Sequence, residues 1–279
     1  MNFQVLNLQI FRYGGNGDLY VGQRSDTRES VVVKFLREAH LPDSRKAFLR
    51  EVRILARKLY GLVPLLGWDT TADQPFYVMP LMKGGSLSQY AGRLTDAQLD
   101  VVAANLALTL ANLHGANDLH GDFKPDNILL TEQGQLQVAD PLGSGTLVTI
   151  LFSENRGGTP GYMAPEIAAG GSISRAADVY SYGATLYHLL TGYRPPHGQR
   201  PDPRSERFSK ASRIRELIAV CCHSDPDARP TMQEVVRMLL GTPWADIQAE
   251  RKRRKNFLTA AGVVGGLILL GKALSKGRG

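Results

Sequence analysis

The chain has 279 residues, 43% hydrophobic and 21% charged, the balance of a globular protein able to bury a core, which excludes wholesale disorder. Its formal charge of +7 invites a nucleic-acid reading, but residues 251–279 hold eight Lys or Arg and no acid, leaving 25 basic against 26 acidic residues elsewhere; the body has no electrostatic case for binding nucleic acid. Cys221 and Cys222, the only cysteines, are adjacent, so they offer no disulfide framework and too few ligands for a zinc site, and they read as buried thiols in a reducing compartment.

The N-terminus, beginning MNFQVLNLQIF, has no basic stretch followed by an unbroken apolar one, so no secretory signal is expected. Residues 1 to about 80 read as strands with one helix. Arg12-Tyr13-Gly14-Gly15-Asn16-Gly17-Asp18-Leu19-Tyr20 is a glycine-rich hairpin. Val31-Val32-Val33-Lys34-Phe35-Leu36 is a β-branched run typical of a buried strand, and Lys34 within it is conspicuous because an isolated buried ammonium is costly. Ala47 to Leu59 spaces Phe48, Leu49, Val52, Ile54, Leu55 and Leu59 among charged residues, a helical pattern that carries Glu51. Phe76-Tyr77-Val78-Met79 is a further short strand, and Lys83-Gly84-Gly85-Ser86 a turn-rich connector.

Beyond Ser86 the pattern turns mostly helical. Helices are predicted over Asp96–His114, Ala176–Leu190 and Thr231–Leu240. Between the first two lie His120-Gly121-Asp122-Phe123-Lys124-Pro125-Asp126-Asn127-Ile128-Leu129-Leu130, then the strand Leu136-Gln137-Val138-Ala139-Asp140, and then Gly158-Thr159-Pro160-Gly161-Tyr162-Met163-Ala164-Pro165-Glu166. Ala177-Asp178-Val179 opens the second helix, and Asp225-Pro226-Asp227-Ala228-Arg229-Pro230-Thr231 precedes the third. A strand-rich part joined by a glycine connector to a helical part is an α+β arrangement.

In order and spacing these segments resemble the eukaryotic-like serine/threonine protein kinases over residues 12–231. The resemblance implies a two-lobed fold, a β-rich N-lobe over residues 1–82 and a helical C-lobe over 83–245, with ATP and Mg2+ (or Mn2+) in the cleft between them. His120 to Asn127 is similar to the H-R-D-x-x-x-x-N loop, which makes Asp122 the residue that orients the acceptor hydroxyl and takes its proton, Lys124 the support of the transferring phosphate, and Asn127 a metal ligand. Asp140 stands where the family carries its second metal ligand. Lys34 matches the lysine on the α- and β-phosphates, and Glu51 its partner. Gly14 and Gly17 would let backbone amides approach the phosphates. Met79 would guard the back of the nucleotide pocket, with the hinge at Pro80 to Lys83. Thr159 would contact the catalytic loop, Glu166 would pair with Arg229, and Asp178 would anchor the central helix. Serine/threonine acceptors on protein substrates are implied by Lys124 and Thr159.

Three departures accompany the likeness. Arg12 replaces the first loop glycine. Asp140-Pro141-Leu142-Gly143 keeps the Asp of D-F-G and loses the rest, and Pro141 argues against switching by a flip of this segment. Gly121 replaces an arginine that normally meets a phosphorylated activation segment, so activity is expected not to depend on that phosphorylation. A non-catalytic pseudokinase acting as an ATP-binding scaffold and a small-molecule kinase of the aminoglycoside or choline type are the alternatives; the retained charged residues oppose the first, and Lys124, residues 159–166, Asp178 and Arg229 oppose the second.

After a basic linker over residues 246–256, residues 257–274 form an apolar run interrupted at Lys272, long enough to span a bilayer if that lysine snorkels. The Arg251–Lys255 cluster would then keep the kinase body cytoplasmic, or the whole chain would be cytoplasmic if the tail does not insert. Gly262 and Gly266 have the spacing that lets two tails pack into a homodimer.

Overall fold

The computed structural model describes residues 3–13, 17–141, 161–196, 200–202 and 212–254. Five strands, β1 (Val5–Tyr13), β2 (Asp18–Arg24), β3 (Ser30–Phe35), β4 (Gly67–Asp69) and β5 (Phe76–Pro80), form one antiparallel sheet in the order β1-β2-β3-β5-β4. Side chains alternate across a strand, so β3 splits its residues between two faces. Val31 and Val33 join Val78 in a buried cluster backed by Phe35, Phe76 and Leu66. Val32 and Lys34 project to the other face, where the register sets them opposite Met79 and Tyr77. A lysine inside an apolar strand is thereby delivered to a single buried face.

Helix α1 (Pro42–Ala56) packs against that face. It starts five residues before the predicted Ala47 because Pro42 occupies the first turn, where its fixed φ and missing N–H cost nothing. The helix stops at Ala56, and Lys58 has φ +53. Its buried residues Phe48, Glu51, Val52 and Leu55 recur at helical spacing, so Glu51 lies on the inward stripe. Phe48 stacks on Tyr77 with centroids 5.5 Å apart, fixing which part of the sheet that stripe meets.

From Ser86 onward helices dominate, the α+β division that the pattern predicts. Helix α2 (Asp96–Gly115) begins at a capping box, with Thr95 Oγ1 accepting from Gln98 N–H at 3.2 Å and Gln98 Oε1 accepting from Thr95 N–H at 2.9 Å. Helix α3 (Arg175–Thr191) is buried along nearly its whole length. Helix α4 (Ser212–Cys221), which the sequence did not announce, brings Cys221 and Cys222 against α3; a Cβ on Gly183 would lie 2.7 Å from Cys222 Sγ. Both cysteines are fully buried thiols, as expected, and burial pushes Cys222 up to about 12. Helix α5 (Met232–Leu239) closes the set.

The hairpin of β6 (Ile128–Leu130) and β7 (Leu136–Val138) ties the two parts together. Gly84 N–H donates to Leu130 O and Leu130 N–H to Gly85 O, both at 2.9 Å, while Val138 N–H donates to Gly61 O at 2.7 Å.

By internal contacts Met1–Val236 is one unit and Arg237–Gly279 another. In the second, residues 244–254 are helical, Arg237 forms a two-pronged pair with Glu250 at 2.9 Å, and the Arg251 guanidinium sits 5.1 Å over the Trp244 ring. The expected apolar tail, residues 257–274, lies outside the described residues, as do Gly14, Leu142, Gly143 and Thr159. Among the described residues no helix is long and apolar enough to cross a membrane.

Candidate active site

The β3–β5 register and the inward stripe of α1 converge on Lys34. Its Nζ lies 2.8 Å from Glu51 Oε1 and 2.8 Å from Asp140 Oδ1, although the three residues come from β3, α1 and the segment that follows β7. Lys34 is 4% exposed, so desolvation works against its charge; the carboxylates of Asp140 and Glu51 outweigh that and raise its pKa. Glu51 is buried just as deeply. Desolvation pushes its carboxyl up to about 7, with Lys34 pulling the other way. Desolvation also acts on Asp140, but the Lys34 ammonium overrides it and holds the carboxyl down to about 2. The Asp140 side chain remains 42% exposed, leaving it open to the cleft.

Asp140 has φ +57, the left-handed region, and it precedes a proline that disfavours the right-handed alternative. Such a conformation costs about 1–3 kcal/mol and persists only where its surroundings hold it, here the pair with Lys34. Gly17 sits just before β2, next to Asp18, which pairs with Phe35 of β3. A Cβ there would lie 2.5 Å from Phe35 O and 3.2 Å from Lys34 Cγ, so the glycine is needed for backbone approach to the lysine strand as well as for any approach to phosphate. Met79 is buried on the same face as Lys34, opposite Val32.

Residues 120–127 build the other end. Gly121 has φ +81, which glycine adopts without strain. The turn is tied down by Asp178 at the start of α3, whose carboxylate accepts from His120 N–H and Gly121 N–H, each at 2.8 Å, and contacts His114 Nε2 at 3.0 Å. His120 Nε2 donates to Ala139 O at 3.0 Å, and Nδ1 accepts from Asp122 N–H at 3.2 Å. Burial lowers the His120 pKa, which favours the neutral ring, and these two partners select the tautomer protonated at Nε2. Lys124 Nζ donates to Asp122 Oδ2 at 2.5 Å, and Asn127 Nδ2 donates to Asp122 O at 2.8 Å and to Oδ2 at 3.1 Å. Ala139 N–H donates to Asn127 O at 2.8 Å, linking this loop to the residue before Asp140.

Farther out, Arg229 grips Glu166 with two 2.7 Å bonds and also donates to Ala176 O at 2.9 Å. The expected pairs Lys34–Glu51 and Arg229–Glu166 are therefore both present. The sequence reading missed Tyr77, whose hydroxyl donates to Glu51 Oε1 at 2.6 Å. It was legible only as a strand residue; the signal that could have found it is the β3–β5 register, which sets it opposite Lys34.

The sequence profile of the protein kinase domain matches residues 10–240. Among similar proteins, the DNA damage-responsive serine/threonine-protein kinase RqkA of Deinococcus radiodurans is 35% identical over 80% of this chain and 37% of its own length. The probable serine/threonine-protein kinase PkwA of Thermomonospora curvata is 32% identical over 81% of this chain and 32% of its own, and protein kinase C delta type of Rattus norvegicus 31% identical over 70% and 30%. The chain thus spans about a third of the length of the curated relatives it matches.

Proposed function

The chain belongs to the protein kinase family, and we propose that it transfers the γ-phosphoryl group of ATP to serine or threonine hydroxyls of protein substrates. The observation that carries this reading is Lys34 held at 2.8 Å from both Glu51 and Asp140, with the residue before Asp140, Ala139, bonded through its N–H to Asn127 O and through its O to His120 of the loop that carries Asp122, Lys124 and Asn127.

The donor atoms suit a nucleotide-borne magnesium ion. Asn127 commits its amide nitrogen to Asp122, which leaves its carbonyl oxygen as the metal donor, and Asp140 adds a carboxylate that stays ionised. Magnesium takes one or two protein oxygens and completes its shell with phosphate and water, so these two residues suffice. When bound, the ion neutralises charge on the phosphates. Lys34 binds α- and β-phosphate oxygens, and Glu51 keeps its ammonium aimed. Asp122 orients the acceptor hydroxyl and takes its proton as the new O–P bond forms and the bond from the γ-phosphorus to the departing ADP oxygen breaks. Lys124, already beside Asp122, stabilises the transferring group. Gly17 and Met79 shape the pocket around the phosphates and its back wall.

Labelled ATP, magnesium and a generic protein substrate test the assignment. Label is expected on serine or threonine with the native chain and not with Asp122→Ala; equal labelling by both would contradict it.

The lobe boundary at residues 82–83, the C-lobe end near 245, and a tail that anchors the chain through residues 257–274 with the catalytic body in the cytoplasm belong to the same proposal. The tail rests on its uncharged run and the basic cluster before it, and Gly262 and Gly266 support self-association. Alkaline carbonate should leave the full chain in the membrane pellet; release to the supernatant would remove the anchor from the account.

A further inference from the structure

We propose that Tyr77 is a positioning residue: its hydroxyl clamps Glu51 against Lys34, holding α1 in the orientation that aims the ammonium into the cleft before any ligand arrives. The clamp is a deeper reading of the kinase assignment and rests on it. Tyr77 is 0% exposed, and its hydroxyl donates at 2.6 Å to the same Glu51 oxygen that receives Lys34 Nζ at 2.8 Å. A buried carboxylate with a single cationic partner is poorly compensated, and a second donor at that oxygen supplies what water cannot reach to supply. The lysine ammonium lies 5.6 Å from the Tyr77 ring centroid, so the ring closes the other side of the same pair.

The backbone makes the clamp stiff. Tyr77 is directly opposite Lys34 in the β3–β5 ladder, so the distance between them is set by the sheet. On α1, Tyr77 touches two points about one turn apart: Phe48 stacks on its ring and Glu51 accepts from its hydroxyl. Two contacts at that spacing fix rotation as well as approach of the helix. The device lies wholly within residues 34–77 and calls on no charged group from the segment after Asp140, which fits the absence of a basic side chain at Gly121.

A tyrosine that only filled the core would be replaced by phenylalanine without consequence, and Tyr77→Phe makes that distinction. In the ligand-free protein, amides 48–55 of α1 are expected to exchange about tenfold faster with solvent in Tyr77→Phe, the scale of a lost bond to a charged group. MgATP affinity by calorimetry should fall about tenfold, and KM for ATP should rise while KM for the protein substrate stays put. Adding Tyr77→Phe to Glu51→Ala should change neither readout further, because the clamp has nothing left to hold. Native exchange and native affinity in Tyr77→Phe, or additive losses in the double variant, would overturn the proposal. If Tyr77→Phe does not fold, Glu51→Gln decides: its amide oxygen still accepts from Tyr77, so α1 should exchange as slowly as native, whereas exchange as fast as in Glu51→Ala overturns the clamp. Failure of the native chain to bind MgATP would sink the kinase reading, while the ligand-free exchange data would still judge the clamp.

Discussion

The two ends of the cleft are built on opposite plans. At the nucleotide end, Lys34, Glu51, Tyr77 and Asp140 come from four separate segments and meet through buried, charge-compensated bonds. At the acceptor end, Asp122, Lys124 and Asn127 lie within six consecutive residues and are arranged by one loop, which a single carboxylate, Asp178, fastens by its backbone. The first end depends on the mutual placement of a sheet and a helix. The second depends on a local turn, so damage to one should leave much of the other intact.

The largest effect is expected from Lys34→Ala. It removes the one cation between two carboxylates, and kcat/KM in a phosphoryl-transfer assay should drop about 10²–10³-fold. Retention of more than a third of native activity would mean that the buried pair is scaffolding alone. Asp178→Ala attacks the other end. It strips two N–H groups and His114 of their acceptor, and urea denaturation should report a loss of about 3 kcal/mol, with turnover falling along with it. A stable protein with a normal rate would show that the loop holds itself.

The Lys34–Glu51 pair sharpens the contrast through pH. Because Glu51 sits near 7 in the folded chain against an ordinary 4.5, the folded state binds that proton more tightly than the unfolded chain. Its contribution to stability is therefore complete below about pH 4.5 and lost as pH rises through about 7, at most about 1.4 kcal/mol per pH unit. Asp140 has the opposite sign: its contribution is complete above about pH 3.8 and is lost only as pH falls through about 2, below the window of interest. Burial lowers the pKa of His120 and His188, which works the other way over part of this range, so the readout is a difference. From pH 5 to 7.5 the thermal stability of the ligand-free native protein relative to Glu51→Gln should fall as pH rises, and parallel profiles would remove Glu51 as a source of pH dependence. The smallest effect is expected from phosphatase. Gly121 offers no charge to a phosphorylated segment, so treated and untreated enzyme should differ by less than about tenfold, as a single lost charge contact would allow.

The same difference governs what could be read from the sequence. The acceptor loop was legible because its chemistry is contiguous: Asp122, Lys124 and Asn127 carry their spacing with them. Lys34 and Glu51 are weaker signals taken singly, a cation in an apolar strand and an acid on a helix; the resemblance to the family pairs them, and the packing of α1 on the sheet sets that pair at 2.8 Å. Tyr77 was not legible as a site residue, since its meaning lies in which residue of β3 faces it, and register is decided by packing across the whole sheet. Helix α1 extends further back than the apolar spacing shows, because the stripe begins only at Phe48 while the first turn, Pro42 to Lys46, is polar and carries no periodic signal. Helix α4 went unannounced, its short apolar face hidden beside the two cysteines.

Calorimetric titration of MgATP into the native chain, Asp122→Ala and Lys34→Ala, paired with initial rates, tests the separation of the two ends most directly. The account predicts native affinity with turnover abolished in Asp122→Ala, and affinity and turnover lost together in Lys34→Ala. Loss of nucleotide binding in Asp122→Ala, or native binding in Lys34→Ala, would contradict it.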